Sequence, residues 1–325
     1  MTDGISGKVV LITGAARGIG AELARTLATR GAHLSLVGLE PERLAALARE
    51  LGDRHVWFEC DVTDQAALER AVEGTAHTLG GIDVVVANAG IASNSMVAVG
   101  AVDALVRTIE VNLIGVVRTV CATLPHVTNA RGYYLLVSSA AALAPLPGIS
   151  TYAAAKSGVE QFGNVLRLEL AHKGVGVGIA HPSWIDTDMV RDAQHDLVSF
   201  NEMLAMLPWP FGSVTPVQTC VAAFVKAIER RKRKVYVPGA LAPLAALRYL
   251  FASPLSEYVV RRRARRLIAQ AECEVRELNR YFGLNSVEGT RQPKVEETTS
   301  RKREGGGRSV RPVLSAEAGE PGAIK

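Results

Sequence analysis

Tyr152-Ala-Ala-Ala-Lys156 sets a phenol and an ammonium one helical turn apart on a single face. A free phenol, with a pKa of about 10, neither gives nor takes a proton readily at neutral pH. A cation close enough to stabilise the phenolate lowers that value, and the pair then works as general acid toward a carbonyl and general base toward an alcohol. Ser138 and Ser139 end an apolar run shortly before this pair. Side-chain alternation on a strand sends only one of the two hydroxyls inward, where it orients a substrate oxygen beside the phenol. Other chemistry is scarce. Cys60, Cys121, Cys220 and Cys273 have no metal or redox spacing, no His pair has ligand spacing, and the serines lack a nucleophile elbow. His181 reads as a packed strand residue rather than a base. The demanding step must therefore come from a bound cofactor.

The cofactor signal lies near the N-terminus. The strand-like run Lys8–Thr13 leads into Gly14-Ala15-Ala16-Arg17-Gly18-Ile19-Gly20 and then a helical pattern. Glycines let the backbone turn and approach a pyrophosphate, while the free amides and positive end of the following helix face its charge. Thr13, Gly14, Arg17, Gly18, Ile19 and Gly20 are thus candidate dinucleotide-binding residues.

These residues need a scaffold that brings distant segments to one edge. Strand-length apolar runs at 8–13, 33–37, 56–58, 82–87, 133–137, 175–181 and 234–237 alternate with helical patterns at 20–30, 41–51, 65–79, 103–124, 152–172 and 216–230. The strand runs are continuously apolar rather than alternating, so a seven-stranded parallel sheet covered on both faces is expected: a doubly wound α/β (Rossmann) fold. One domain over 1–240 follows. The remainder reads as an amphipathic basic helical extension at 241–283 and a disordered tail at 284–325.

At this point the chain resembles the short-chain dehydrogenase/reductase family, matching its Thr-Gly-x-x-x-Gly-x-Gly loop at 13–20 and its Tyr-x-x-x-Lys pair at 152–156. The resemblance favours Ser139 over Ser138 as the catalytic serine. It implies that Asn112 holds a water linking Lys156 to solvent, and that Lys156 also holds the cofactor ribose. It further implies that Asp61 with Val62 holds the adenine, and that Asn88-Ala89-Gly90 and the segment containing Pro182, Ile185 and Thr187 line the cofactor. Ser183 stands where the family carries glycine. The implied activity is NAD- or NADP-dependent interconversion of a carbonyl and a secondary alcohol. A non-catalytic dinucleotide sensor is the alternative, which the intact Ser139, Tyr152 and Lys156 disfavour. A homodimer or homotetramer through helices 103–124 and 152–172 is also implied.

Cofactor choice stays open, because Gly38 and Leu39 occupy the positions where an acid would select NAD or a base NADP. Arg17 would welcome a 2′-phosphate and Glu40 would repel one. Between Thr187 and Pro216 the large apolar groups Met189, Phe200, Met203, Leu204, Met206, Leu207, Trp209 and Phe211 suggest a lid over an apolar or bulky substrate, with packing of the lid onto the core as the alternative and a hinge near Gly212–Pro216.

Charge is divided unevenly: residues 1–225 hold 15 Lys+Arg against 21 Asp+Glu, and residues 226–325 hold 22 against 11. The basic character therefore belongs to the C-terminal part. There Ala264, Ile268, Ala271, Val275, Leu278 and Phe282 form a stripe at steps of four and three, opposite Arg261, Arg262, Arg263, Arg265 and Arg266. A solvated arginine face is the first reading and peripheral docking on an anionic membrane surface the second. Nucleic-acid binding is weakest, since no stacking aromatics accompany the arginines. No leader or membrane span is evident, and cysteine usage suits a reducing, cytoplasmic setting.

Overall fold

Strands β1 (Val9–Thr13), β4 (Val84–Ala87) and β5 (Tyr133–Val137) are buried at every position, as continuous apolar runs require when helices cover both faces of a sheet. They form the centre of a seven-stranded parallel sheet in a computed structural model that describes residues 4–94, 96–207, 209–248, 253–278 and 280–286. With β2 (His33–Gly38), β3 (His55–Glu59), β6 (Gly176–Pro182) and β7 (Lys234–Val237), the order is β3-β2-β1-β4-β5-β6-β7. Edge strand β3 is only half covered, and Trp57 on it is 39% exposed. The seven expected strands and the doubly wound class are observed, with boundaries shifted by a residue or two.

Helices α1 (Gly18–Thr29), α2 (Pro41–Leu51) and α9 (Val217–Glu229) pack on one face through Leu23, Leu27, Leu44 and Phe224. Helices α3 (Gln65–Leu79), α5 (Gly115–Asn129) and α6 (Ser150–Glu169) pack on the other through Leu68, Val120, Val159 and Leu166. Local signals set their ends. Pro41 opens α2, the Asp64 carboxylate accepts from the Ala67 amide at 3.0 Å, and Gly80 closes α3 at φ 85°. Truncating fully buried Phe224 to alanine would cost about 3–5 kcal/mol.

Two regions differ from expectation. The pattern at 103–124 predicts one helix, but α4 (Val102–Ile109) passes into a π-helical turn at Glu110–Ile114 before α5 begins. Such turns insert a residue without breaking the helix and recur at functional sites. The second difference is the C-terminal extension, where α10 (Leu241–Ala246) is short and α11 (Pro254–Leu278) is long. The apolar stripe of α11, the face a membrane would take, is turned inward. Val275, 2% exposed, joins Met96 and Leu197 in a cluster against which Phe200, Ile268, Ala271 and Leu278 pack. Phe282 lies beyond the helix in an antiparallel bridge with Ser93, and the Asn94 amide donates to the Tyr281 carbonyl at 2.8 Å. No helix among the described residues is long and apolar enough to cross a membrane. The first residues of the expected disordered tail are instead placed, with the Ser286 amide donating to the Gly283 carbonyl at 3.0 Å and Asn285 bonded to Asp192, and the rest of that tail lies outside the described residues from 287 onward.

Candidate active site

The cleft opens at the C-terminal edge of the sheet, where strand order reverses between β1 and β4, the position at which doubly wound folds bind ligands. Gly14 (φ 66°) and Gly18 (φ 54°) are in left-handed conformations open to glycine, and a Cβ on Gly14 would lie 2.8 Å from the Ala89 Cα. The amides of the first turn of α1, which have no intrahelical partners, face this cradle. Arg17, Gly18, Ile19, Asp61, Val62, Asn88, Ala89, Gly90, Pro182, Ile185 and Thr187 line the same cleft with Gly14. Thr13 and Gly20, expected to touch the cofactor, instead lie behind the lining. Thr13 is 1% exposed and its Oγ accepts from the Asn88 and Ala89 amides, both at 3.1 Å, tying β1 to β4. A Cβ on Gly20 would stand 2.2 Å from the Gly14 carbonyl oxygen, so this glycine keeps α1 close to the loop.

Arg17 and Glu40, the two residues with opposite consequences for cofactor choice, hold each other in a two-pronged ion pair at 2.7 and 2.5 Å. Asp61 accepts from Thr63 and from the Arg107 guanidinium at 2.7 Å. Burial alone would raise its carboxyl, but these donors outweigh burial and hold it below the usual range. Arg107, on α4, gives no local signal in the sequence that it would meet Asp61.

At the other end of the cleft Asn112, Ser139, Tyr152 and Lys156 converge. Ser138 and Ser139 both reach the cleft lining but have different partners. The Ser138 hydroxyl donates to the Lys156 carbonyl at 2.7 Å, whereas the Ser139 hydroxyl accepts from the Ala141 amide at 3.1 Å and donates to the Pro182 carbonyl at 3.4 Å, on the Tyr152 side of the cleft. Lys156 is 3% exposed, its ammonium donates to the Val137 carbonyl at 3.0 Å and lies 5.6 Å from the Tyr152 ring centroid. Burial pulls the Lys156 pKa down to about 8. Burial also raises the Tyr152 phenol, partly opposed by Ser139, so in the chain alone the tyrosine holds its proton more firmly than the sequence motif suggests. The π-turn carries fully buried Asn112, whose amide donates to the Ile91 and Thr108 carbonyls at 2.8 Å each. Its Oδ1 has no hydrogen-bond partner among the described residues. A Cβ on Gly90 would lie 2.7 Å from that oxygen and 3.4 Å from the Lys156 Nζ, so glycine there keeps open a polar space shared by both groups. His181 is fully buried and stacks on Tyr236 at 5.0 Å, away from the cleft lining, as expected of a strand residue.

The model of the short chain dehydrogenase family matches residues 8–197. The chain belongs to this family. It is 31% identical over 259 residues to an uncharacterized oxidoreductase of Mycobacterium tuberculosis, covering 77% of this chain and 96% of that protein. It is 32% identical over 249 residues to 11-beta-hydroxysteroid dehydrogenase 1A of Arabidopsis thaliana, covering 73% and 70%. Similarity to (-)-trans-carveol dehydrogenase of Rhodococcus erythropolis is 36% over 206 residues, covering 58% and 74%.

As a short-chain dehydrogenase the protein is an oxidoreductase of CH–OH or carbonyl groups that uses NAD or NADP. Its residues suit such a cofactor. The loop that would cradle a pyrophosphate keeps its shape only with glycine at 14 and 20, where a Cβ would meet Ala89 or the Gly14 carbonyl, and the orphaned Asn112 acceptor lies near a buried ammonium. Beyond the shared machinery, the cavity of about 690 Å³ extends along the lid helices α7 (Asp188–Asp196) and α8 (Val198–Met206) to α11. Of the expected lid residues, Met189, Phe200, Met203, Met206, Leu207 and Phe211 line it, whereas Leu204 is buried and Trp209 is 77% exposed outside the lining; the contributions of Val260, Leu267 and Ile268 from α11 were not foreseen. The lid and the extension are clipped together. Glu274 accepts from the Ser199 amide at 3.1 Å and hydroxyl at 2.6 Å at the start of α8, Asp192 accepts from the Asn285 side chain at 2.6 Å, and Arg280 donates to Asp196.

Proposed function

We propose that this dehydrogenase interconverts a carbonyl and a secondary alcohol on an apolar or bulky substrate, with Tyr152 transferring the proton. The observation that carries the reading is the convergence of Ser139, Tyr152, Lys156 and Asn112 at one end of a mainly apolar cavity, whose lid and α11 side is lined by Met189, Phe200, Met203, Phe211, Leu267 and Ile268. The bound dinucleotide supplies or accepts the hydride. The glycine loop and first turn of α1 hold its pyrophosphate, Asp61 and Val62 its adenine, and the Lys156 ammonium its ribose. Ser139 donates to the substrate oxygen and orients it toward the phenol. In reduction Tyr152 gives its proton to that oxygen; in oxidation it takes the proton back. Lys156 stabilises the phenolate formed in between. A water on the Asn112 Oδ1 returns the proton from solvent. The relatives named for hydroxysteroid and carveol chemistry act on apolar ring alcohols by name, which agrees with the cavity walls.

Val106, Ile114, Val165 and Leu168 on α4, the π-turn and α6 are 47, 39, 43 and 73% exposed, which supports pairing of two copies through these helices. The membrane-surface reading retains only the outward arginines, since the apolar stripe of α11 faces the lid and the cavity.

The deciding experiment follows nicotinamide absorbance with both dinucleotides and a panel of bulky ketones and alcohols, for wild type and Tyr152→Phe. Wild type turns over, and the variant binds dinucleotide equally but loses about 10²-fold or more in kcat. Dinucleotide binding by both proteins without wild-type turnover across the panel overturns the enzymatic reading in favour of a sensor.

A further inference from the structure

The α11 wall raises a question that the shared machinery does not answer: why an apolar cavity surface carries a cation. Val260, Ala264, Leu267, Ile268, Ala271 and Val275 repeat along one face of the helix and line the cavity, and all but Val275 remain only half buried. A stripe that served only as packing would be covered; this one borders open volume continuous with Ser139 and Tyr152. From Val275, sealed against Met96 and Leu197, to Arg263 the wall runs twelve residues, about 18 Å at 1.5 Å per residue. That length suits an elongated substrate rather than a compact one.

Seven charged residues line the cavity, and six are accounted for. Arg17 pairs with Glu40, Asp61 with Arg107 and Asp188 with Arg191, while Asp192 is held by Asn285 and Lys156 by the Val137 carbonyl beside Tyr152. Arg263 has no ion-pair partner among the described residues, whereas nearby Arg261 is paired with Glu257 at 3.7 Å. Arg262, Arg265 and Arg266, exposed like Arg263, strengthen the positive field on the same turns without lining the cavity. An apolar wall with one uncompensated guanidinium matches a molecule with an apolar body and an anionic end, because a guanidinium forks onto carboxylate or phosphate oxygens.

We propose that α11 is the recognition wall of the substrate cavity and that Arg263 binds the anionic headgroup of an elongated apolar substrate. This deepens the proposed function, resting on it only in taking this cavity as the substrate's. The headgroup chemistry, carboxylate or phosphoryl, is the same to Arg263 and is separated by experiment.

The test is calorimetric titration of the full chain with decanoate, decyl phosphate and the neutral decanamide, for wild type, Arg263→Gln and Arg262→Gln. None of these ligands needs to react. Wild type binds at least one anion about tenfold more tightly than decanamide, the worth of one partly exposed charge-assisted contact. Arg263→Gln removes that discrimination, and Arg262→Gln, whose side chain does not line the cavity, keeps it. The tighter of the two anions names the headgroup. The proposal is overturned if the three ligands bind within about threefold of one another, if none binds, or if both variants lose discrimination equally, which would assign it to the general field. Anion discrimination in a chain that reduces no ketone would sink the proposed function alone; ketone turnover without discrimination would sink only the Arg263 site.

Discussion

Removing the Glu274 carboxylate should release the lid helices from the C-terminal helix while leaving the sheet intact. In the folded chain this side chain accepts from the Ser199 amide at 3.1 and 3.2 Å, from the Ser199 hydroxyl at 2.6 Å, and from Gln270 at 2.9 Å. Ser199 lies in the first turn of α8, where amides lack intrahelical partners and an anion gains from the helix dipole. A hydrogen bond to a charged group contributes about 1.5–3 kcal/mol and the dipole about 0.3–1. Glu274 is half buried, so about 2 kcal/mol is a reasonable net loss for Glu274→Ala, equivalent to about thirtyfold in the docking equilibrium. Hydrogen exchange measured by mass spectrometry reads this directly. Protection of peptides from α8 and α11 should fall by about thirtyfold, while peptides from β1, β4 and β5 keep their wild-type rates. Unchanged exchange in α8 and α11 would refute the idea that this carboxylate joins them. Equal loss across the sheet would show instead that Glu274 supports the whole fold.

Gly20→Ala places a Cβ 2.2 Å from the Gly14 carbonyl and 2.9 Å from the Asn88 amide nitrogen, so dinucleotide affinity, read by fluorescence titration, should fall at least tenfold with the fold retained by circular dichroism. Wild-type affinity in this variant would contradict the assigned cradle. Glu40→Gln breaks the Arg17 pair and frees a guanidinium for a 2′-phosphate; the ratio of NADP to NAD affinity should rise about tenfold, and an unchanged ratio would remove Arg17 from cofactor choice. The folded pKa of Lys156, about 8, lies below its unfolded value of 10.5, so the unfolded chain binds the extra proton between these values and stability from this group rises with pH across that window. Unfolding free energies of wild type and Lys156→Met, read from denaturant titrations, should therefore converge by about 3 kcal/mol from pH 8 to 10.5, given 1.36 kcal/mol per pH unit. A pH-independent gap would mean that the ammonium is not desolvated. The comparison with the variant matters because buried Cys60 and Cys220, raised to about 12, lower stability over the alkaline part of the same range.

Much of this protein is written locally. Continuous apolar strands, the glycines at 14, 18 and 20, and the Tyr152/Lys156 spacing depend on neighbours within a turn or a strand length, and each was readable without knowing what packs against it. The choice between Ser138 and Ser139 was narrower, because strand alternation allows one hydroxyl inward without saying which. That the Ser138 hydroxyl goes to the Lys156 carbonyl, at 2.7 Å, is a contact with another element that alternation does not specify. The helix at 103–124 carries no sequence mark of its π-turn, whose role becomes visible only where Asn112 meets Gly90 and Lys156.

The C-terminal part shows the boundary most plainly. Sequence periodicity marked a helix with an apolar stripe and an arginine face in this segment, which the structure ends at Leu278, leaving Phe282 beyond it in the bridge to Ser93. It did not determine what covers the stripe, since a membrane and a protein surface both satisfy the same apolar atoms. Tertiary structure decided for the lid, through contacts 75 to 93 residues apart: Glu274 with Ser199, Arg280 with Asp196 and Asn285 with Asp192. It likewise paired Arg17 with Glu40 and Asp61 with Arg107. Pairings of this kind depend on how the chain returns on itself, so a segment that reads as an appendage becomes a wall of the cavity.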